Sequence, residues 1–175
     1  MAPVIRLATA ADLPAVAAIY GEIHDAEAAG TVTTGWLRDV YPTTATAEVA
    51  LDRGDLFVLE AEGAVLGAAV INQTQVDVYA GAPWEHDAPD SAVCVLHTLV
   101  ISPRAGRRGY GRRFVDYYES RARALGCREL RIDTNARNVA ARSMYAALGY
   151  REIAVVPTLF NGIPGVDLVL LEKHL

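Results

Sequence analysis

Val93-Cys-Val-Leu-His-Thr-Leu-Val-Ile101 runs directly into Ser-Pro-Arg-Ala-Gly-Arg-Arg-Gly-Tyr-Gly-Arg-Arg113, and this stretch decides the fold. Its first nine residues are apolar and β-branched enough for a buried strand, which Pro103 ends. Gly106, Gly109 and Gly111 then punctuate a basic turn that opens an amphipathic helix over Gly109–Leu125. The first amides of a helix have no partner within it, so a strand, turn and helix of this kind aim N–H groups at an anion. Glycines let the backbone approach closely, while Arg104, Arg107, Arg108, Arg112 and Arg113, with Arg121 further along, supply charge for a phosphate chain. The spacing is G-x-x-G-x-G. It is neither the dinucleotide pattern G-x-G-x-x-G nor a triphosphate loop, which needs Lys-Ser/Thr. The bland alternative is an ordinary glycine-rich turn with a solvated basic edge.

Working outward, Val4–Ala8 reads as a strand, with Thr9 and Asp12 capping a helix whose Leu13, Val16, Ala17, Tyr20 and Ile23 share one face. Thr44–Arg53 is a second helix stopped by Gly54. Leu56–Glu60 and Val65–Asn72 form a hairpin around Gly63, and Asn72–Asp90, with Gly81, Pro83 and Pro89, reads mainly as a surface loop. Downstream, Arg128–Thr134 is a strand, Asn138 caps a helix over Val139–Leu148, and Gly149 ends it. Arg151–Val156 and Val166–Leu171 are strands flanking Asn161-Gly162 and Pro164-Gly165. The order βααβββαβαββ predicts a single α/β domain over residues 1–175, with a mixed sheet flanked by helices.

Composition narrows the function classes. The 175 residues are 52% hydrophobic and 21% charged, which suits a packed core and opposes disorder. Sixteen Lys and Arg against 21 Asp and Glu give a net charge of −5, so nucleic acid is not the expected partner. No apolar run approaches the ~20 residues of a membrane helix, and Met1–Arg6 lacks the apolar region of a secretory signal, so a cytoplasmic location is expected. Cys94 and Cys127 are too few for a disulfide framework or a four-ligand metal site.

Asn138-Val-Ala-Ala-Arg-Ser-Met-Tyr145-Ala-Ala-Leu-Gly149-Tyr150 puts Ala141, Tyr145 and Leu148 on one helix face. With Leu99-Val-Ile101 and the Arg107–Arg112 turn, in that element order, the chain resembles the GNAT superfamily of acetyl-CoA-dependent N-acetyltransferases. The resemblance is strong over about residues 93–150 and general elsewhere. It implies a centrally splayed sheet, in which the strands matching Val95–Ile101 and Arg128–Thr134 part to admit the pantetheine arm of acetyl-CoA. It further implies that backbone groups of Leu99 and Ile101 pair with that arm and that amides from Gly106, Arg107, Arg108, Gly109, Tyr110, Gly111 and Arg112 bind the pyrophosphate. Asn138 would contact the cosubstrate and Tyr145 its sulfur, while an amide near Val100 would polarise the thioester carbonyl. One departure stands out. The family usually has Gln or Arg where this chain has Gly106.

An alkyl amine of pKa ~10.4 is protonated at pH 7, and neutralising it costs roughly 4.6 kcal/mol, so a base is needed. His97 is the leading candidate, directly or through water. Strand alternation puts it on the face of Val95 and Leu99, and its place is similar to that of a base histidine within the family. The alternative is a hydrogen-bonded core histidine. Tyr145, a phenol of pKa ~10, stays protonated and would donate to the departing thiolate. Its alternative is a ring packed between helix and sheet. Cys94 and Cys127 read as buried small residues rather than as an acyl-enzyme nucleophile.

For the acceptor, Tyr20, His24, Trp36, Tyr41, Tyr79 and Trp84, with Glu85 and Asp87 nearby, suggest an aromatic wall suited to a small cationic amine. Each also reads as helix packing or a solvated loop. His24-Asp25, Glu85-His86-Asp87 and His174 lack regular ligand spacing, so no metal is expected. The expected function is direct acetyl transfer from acetyl-CoA to a primary amine of a small molecule. Acetylation of a protein lysine or N-terminus is one alternative, and a non-catalytic acyl-CoA sensor is another. A homodimer would suit the exposed C-terminal strands.

Overall fold

The computed structural model describes residues 2–175. Along the chain run β1 (Val4–Leu7), α1 (Leu13–Ala28), α2 (Thr44–Arg53), β2 (Leu56–Ala61), β3 (Ala64–Asn72), β4 (Val93–Ile101), α3 (Tyr110–Ala124), β5 (Glu129–Asn135), α4 (Val139–Ala147), β6 (Arg151–Phe160) and β7 (Ile163–His174). Among the described residues the strands form one sheet in the order β1-β2-β3-β4-β5-β7-β6. Only β4 and β5 pair in parallel, as the crossover through α3 requires. The other neighbours are antiparallel, so the sheet is mixed and the expected α/β class holds.

Apolar periodicity sets which face each helix covers. On one face Phe114, Val115 and Tyr118 of α3 bury against Cys94, Leu96, Leu130 and Ile132, and Tyr145 of α4 joins the same cluster. On the other, Val16, Ile19, Tyr20 and Ile23 of α1 and Ala47 and Ala50 of α2 cover Leu56, Val58, Ala68 and Val70. Beyond them the connection between β3 and β4 takes over, with Tyr79 packing on Val93, Val95, Leu168 and Leu170. Complete burial of such side chains contributes roughly 1.5–3 kcal/mol each. The caps behave as anticipated. Thr9 and Asp12 make a capping box, Asn138 accepts from the Ala141 amide at 3.2 Å, and Gly149 takes a φ of 86°.

The last two strands run further than expected. They pair from Arg151 to Phe160 and from Ile163 to His174, so Asn161-Gly162 alone forms the turn and Pro164-Gly165 lies within β7. Pro164 is tolerated because β5 pairs with β7 only from Leu168 onward, leaving no ladder there to interrupt on that side.

Candidate active site

The parallel pairing of β4 with β5 covers Val93–Leu96 against Glu129–Ile132 and then stops. Past that point β4 stays with β3 and β5 stays with β7, so the two strands diverge. Tyr118 clasps the paired half: its buried hydroxyl lies 2.5 Å from the Cys94 carbonyl and 3.2 Å from that of Arg131, one on each strand. The splay opens a cavity of about 570 Å³, with His97, Thr98 and Leu99 on one bank and Asp133, Thr134 and Asn135 on the other. Asn138, Ala141 and Tyr145 of α4 line it, as do Trp36, Tyr41 and Phe160. The three aromatics stack edge to face, Tyr41 lying 5.8 Å from Trp36 and 6.1 Å from Phe160 between centroids.

A β-bulge shapes the β4 bank. Ala68 faces Val100 and Val70 faces His97, so β4 carries an extra residue here, and Thr98 adopts a φ of 50°. The Thr98 hydroxyl hydrogen-bonds that of Tyr41. The extra residue reverses the alternation. Val95 faces the Tyr79 side, whereas Leu99 and Ile101 pack on the α3 side, so His97 does not share a face with Leu99 as simple alternation predicts. The same parity corrects the expectation for Val100. The Ser102 amide donates to Leu66 on β3 at 2.8 Å, so Val100, two residues earlier, also turns its N–H toward β3, and those of Leu99 and Ile101 face the gap.

His97 is held by a polar chain. Its Nε2 lies 2.9 Å from Asn72 Oδ1, Asn72 Nδ2 donates to Asp55 at 2.8 Å, and Arg53 pairs with Asp55 at 2.9 Å. The Asn72 amide must turn its nitrogen to the carboxylate, and its oxygen also accepts from the Thr74 amide at 2.9 Å. That fixes the histidine tautomer: Nε2 carries the proton and Nδ1 keeps a lone pair. Burial pushes the His97 pKa down to about 4, so the ring is neutral at pH 7.

Across the gap, burial pushes the Asp133 carboxyl up to about 6, opposed by the Tyr79 hydroxyl, which donates to Oδ2 at 2.7 Å. The group is still mostly ionised at pH 7. Tyr145 is buried, and its phenol is raised above the ordinary tyrosine range by burial and by the Asp133 charge, so it remains a proton donor.

The basic turn lies beside these groups. Gly109 takes a φ of 75° at the start of α3 and Arg107 one of 62°. A Cβ on Gly111 would sit 3.2 Å from Met144 Sδ, so the helix start rests against α4, whose Ala141 and Tyr145 line the cavity. Tyr110 buries its ring, leaving the backbone to serve a ligand. Arg104 pairs with Glu22, and Arg108 with Glu62 at 3.2 Å. Gly106, Arg107 and Arg112 stand outside the cavity wall, with Arg108, Gly109 and Arg112 edging a separate hollow beside Ile5 and Tyr117.

Of the expected acceptor residues, Tyr20, His24, Tyr79 and Trp84 lie outside the cavity wall. Tyr20 is 2% exposed in the core beneath α1, and His24 is buried with Nε2 2.9 Å from the Pro42 carbonyl. Their helical spacing placed them on the face that packs against the sheet, not on the face that meets ligand. Trp36 lines the cavity as expected. Tyr79 acts from behind it through Asp133, and Trp84 stacks on Tyr79 at 5.2 Å, outside the wall. Asp133, Asn72 and Phe160 were not anticipated as site residues. Their only signal was a polar or aromatic residue at the end of a strand.

A parallel pair that parts halfway, with a glycine-rich helix start at the opening, is the architecture of the acyl-CoA N-acyltransferases. The chain belongs to the acetyltransferase (GNAT) family, whose pattern matches residues 19–150. The expected N-acetyltransferase class and its cosubstrate acetyl-CoA thus hold at the level of the family. Among solved structures it is similar to a ribosomal-protein-alanine N-acetyltransferase of Brucella melitensis, at TM-score 0.74 and 24% identity over 98% of this chain and 99% of the other. It is also similar to an acetyltransferase of Salmonella typhimurium solved with its cofactor acetyl-CoA, at TM-score 0.71 and 18% identity over 99% and 94%. An aminoglycoside N(6')-acetyltransferase type 1 of Serratia marcescens is 34% identical over 62 residues, 35% of this chain. That stretch spans 42% of the Serratia protein. No helix among the described residues is long and apolar enough to cross a membrane.

Proposed function

We propose that this protein transfers acetyl from acetyl-CoA directly to a primary amine of a small cationic molecule. The observation that carries the reading is the unpaired half of β4 and β5, bordering a cavity that presents a neutral imidazole, a carboxylate and a protonated phenol. Backbone groups of Leu99 and Ile101 are free to pair with the pantetheine arm, and the first amides of α3 face its pyrophosphate together with Arg107, Arg108 and Arg112. Asn138 adds a contact at the α4 cap. The Asp133 carboxylate, which lines the same cavity as Trp36, Tyr41 and Phe160, attracts the ammonium form of the acceptor.

Once the nitrogen has lost a proton it attacks the thioester carbonyl, whose developing oxyanion is met by a gap-facing amide of β4. The carbon–sulfur bond then breaks with its electron pair on sulfur, the Tyr145 hydroxyl gives its proton to the leaving thiolate, and the second proton released from nitrogen as the amide forms restores the phenol through water. His97 Nδ1 passes the amine proton through water to solvent as a transient relay, since a ring with its pKa pushed down to about 4 does not retain it at pH 7; the other nitrogen is committed to Asn72. The products are the amide and the free thiol of coenzyme A. A cavity of about 570 Å³ suits a small ligand, and the Serratia relative's name points the same way. Thr74 and Val76 are the part of the β3–β4 connection that walls the cavity, and residues 79–90 do not close it.

A thiol-release assay with acetyl-CoA tests the reading across small amines, polyamines, aminoglycosides, amino acids and peptides. Release with small cationic amines is expected. Release with peptides alone would move the acceptor to proteins, and bound acetyl-CoA without release from any amine would leave a sensor instead.

A further inference from the structure

Glu129 opens β5 and His174 closes β7, and the antiparallel register sets them opposite each other. His86 arrives from the connection between β3 and β4, its ring 4.7 Å from that of His174 between centroids. His174 Nδ1 lies 2.7 Å from Glu129 Oε1, and His86 Nδ1 lies 3.6 Å from Oε2. One donor atom from each of the three residues falls within 4.8 Å of the others. Glu129 is 7% exposed, whereas both histidines are open to solvent. Two imidazoles therefore turn the same nitrogen toward one buried carboxylate that has no Lys or Arg salt bridge among the described residues.

We propose that His86, Glu129 and His174 form a binding site for a divalent metal ion of the zinc class. Two imidazole nitrogens and one carboxylate oxygen make a borderline donor set, with water completing a tetrahedron. Ligands about 2.0–2.1 Å from such an ion stand roughly 3.3 Å apart; His174 Nδ1 lies 2.7 Å from one Glu129 oxygen and His86 Nδ1 3.6 Å from the other, so a small turn of the carboxylate brings one oxygen within reach of both rings. Closing the third side takes a rotation of the exposed His86 side chain. Arg131 is the cation nearby. Its guanidinium stacks on Trp84 at 4.1 Å and donates to Gln75 and to the His86 carbonyl, with no salt bridge to Glu129 among the described residues. The irregular spacing that argued against a metal reflects residues from a loop and two strand ends, brought together only by the fold.

The ion would be structural rather than reacting. Glu129 is four residues from Asp133 along β5, roughly 13 Å at strand rise. It would tie the connection carrying Tyr79 and Trp84 to the end of the sheet, and Tyr79 supports Asp133 at the cavity.

Calorimetric titration of chelator-treated protein with zinc chloride tests the site. One ion per chain is expected, with cobalt(II) giving the visible absorption of a four-coordinate N/O site. His86→Ala and His174→Ala, both at exposed positions, should each weaken binding by about 10- to 100-fold or more, and the double variant should abolish it. Zinc should slow proteolysis within residues 73–92 of the wild type and not of the double variant. No stoichiometric uptake, or equal uptake by the double variant, would overturn the proposal; circular dichroism checks that the variants fold.

Discussion

Asp133 carries opposite consequences for stability and for binding. Its folded pKa is raised from 3.8 to about 6, so the charged form is penalised in the folded state. The sign follows: the folded chain binds the extra proton, the penalty is absent below about pH 4, grows as pH rises to about 6, and is flat above. At 1.36 kcal/mol per pKa unit its ceiling is about 3 kcal/mol. Asp133→Asn should therefore be more stable than wild type at pH 8 by up to that amount and equal to it near pH 4, measured by denaturant midpoints. The same variant should raise KM for a cationic amine about tenfold or more and remove an acid limb near pH 6 from kcat/KM. Tyr145→Phe should lower kcat about 100-fold with acetyl-CoA affinity nearly unchanged; equal turnover would strip the phenol of its role. His97 and Tyr145 entered the sequence reading through resemblance to the family, and both line the cavity, although the alternation offered for His97 fails at the bulge. Asp133 did not enter it, since its strand face reads as solvent-facing until Tyr79 covers it.

The decisive elements are β4 and β5, whose neighbours hold them apart. β3 retains β4 through a bulge, β7 retains β5, and the Tyr118 hydroxyl clasps the half that stays paired. Gly67 is where β3 lets β4 bend. A Cβ there would lie 2.6 Å from Ile101 Cδ1 and 2.9 Å from the Val100 carbonyl oxygen. Gly67→Ala should cost about 1–3 kcal/mol of stability and weaken acetyl-CoA binding by shifting the bank of the gap, read by chemical denaturation and calorimetry. Alternation and caps located each α-helix and strand among the described residues, with ends displaced where pairing decided them, as in β6 and β7. The bulge at Thr98 left no mark in the sequence, where alternation runs unbroken through Val93–Ile101; in the fold Thr98 meets the Tyr41 hydroxyl, from a residue distant along the chain. For the same reason Val100 was misread as facing the cosubstrate.

At the scale of the molecule, one sheet carries its helical layers on two faces and opens through its middle, so ligand and fold share the same strands. A cosubstrate that binds only the folded chain stabilises it by about 2.7 kcal/mol at a hundredfold excess over Kd. For a chain of this size that corresponds to a rise in Tm of roughly 5–10 °C, which a thermal melt with and without acetyl-CoA reads directly. The net charge of −5 does not oppose an anionic ligand here, because the arginines of residues 104–113 gather at the start of α3. Calorimetric titration of acetyl-CoA into the wild type and into Ala141→Phe, which fills the cavity from α4, probes the splay most directly. One equivalent of heat from the wild type and at least about tenfold weaker binding by the filled variant are expected. No heat from the wild type, or equal binding by both, would contradict a thioester carrier seated between the parted strands.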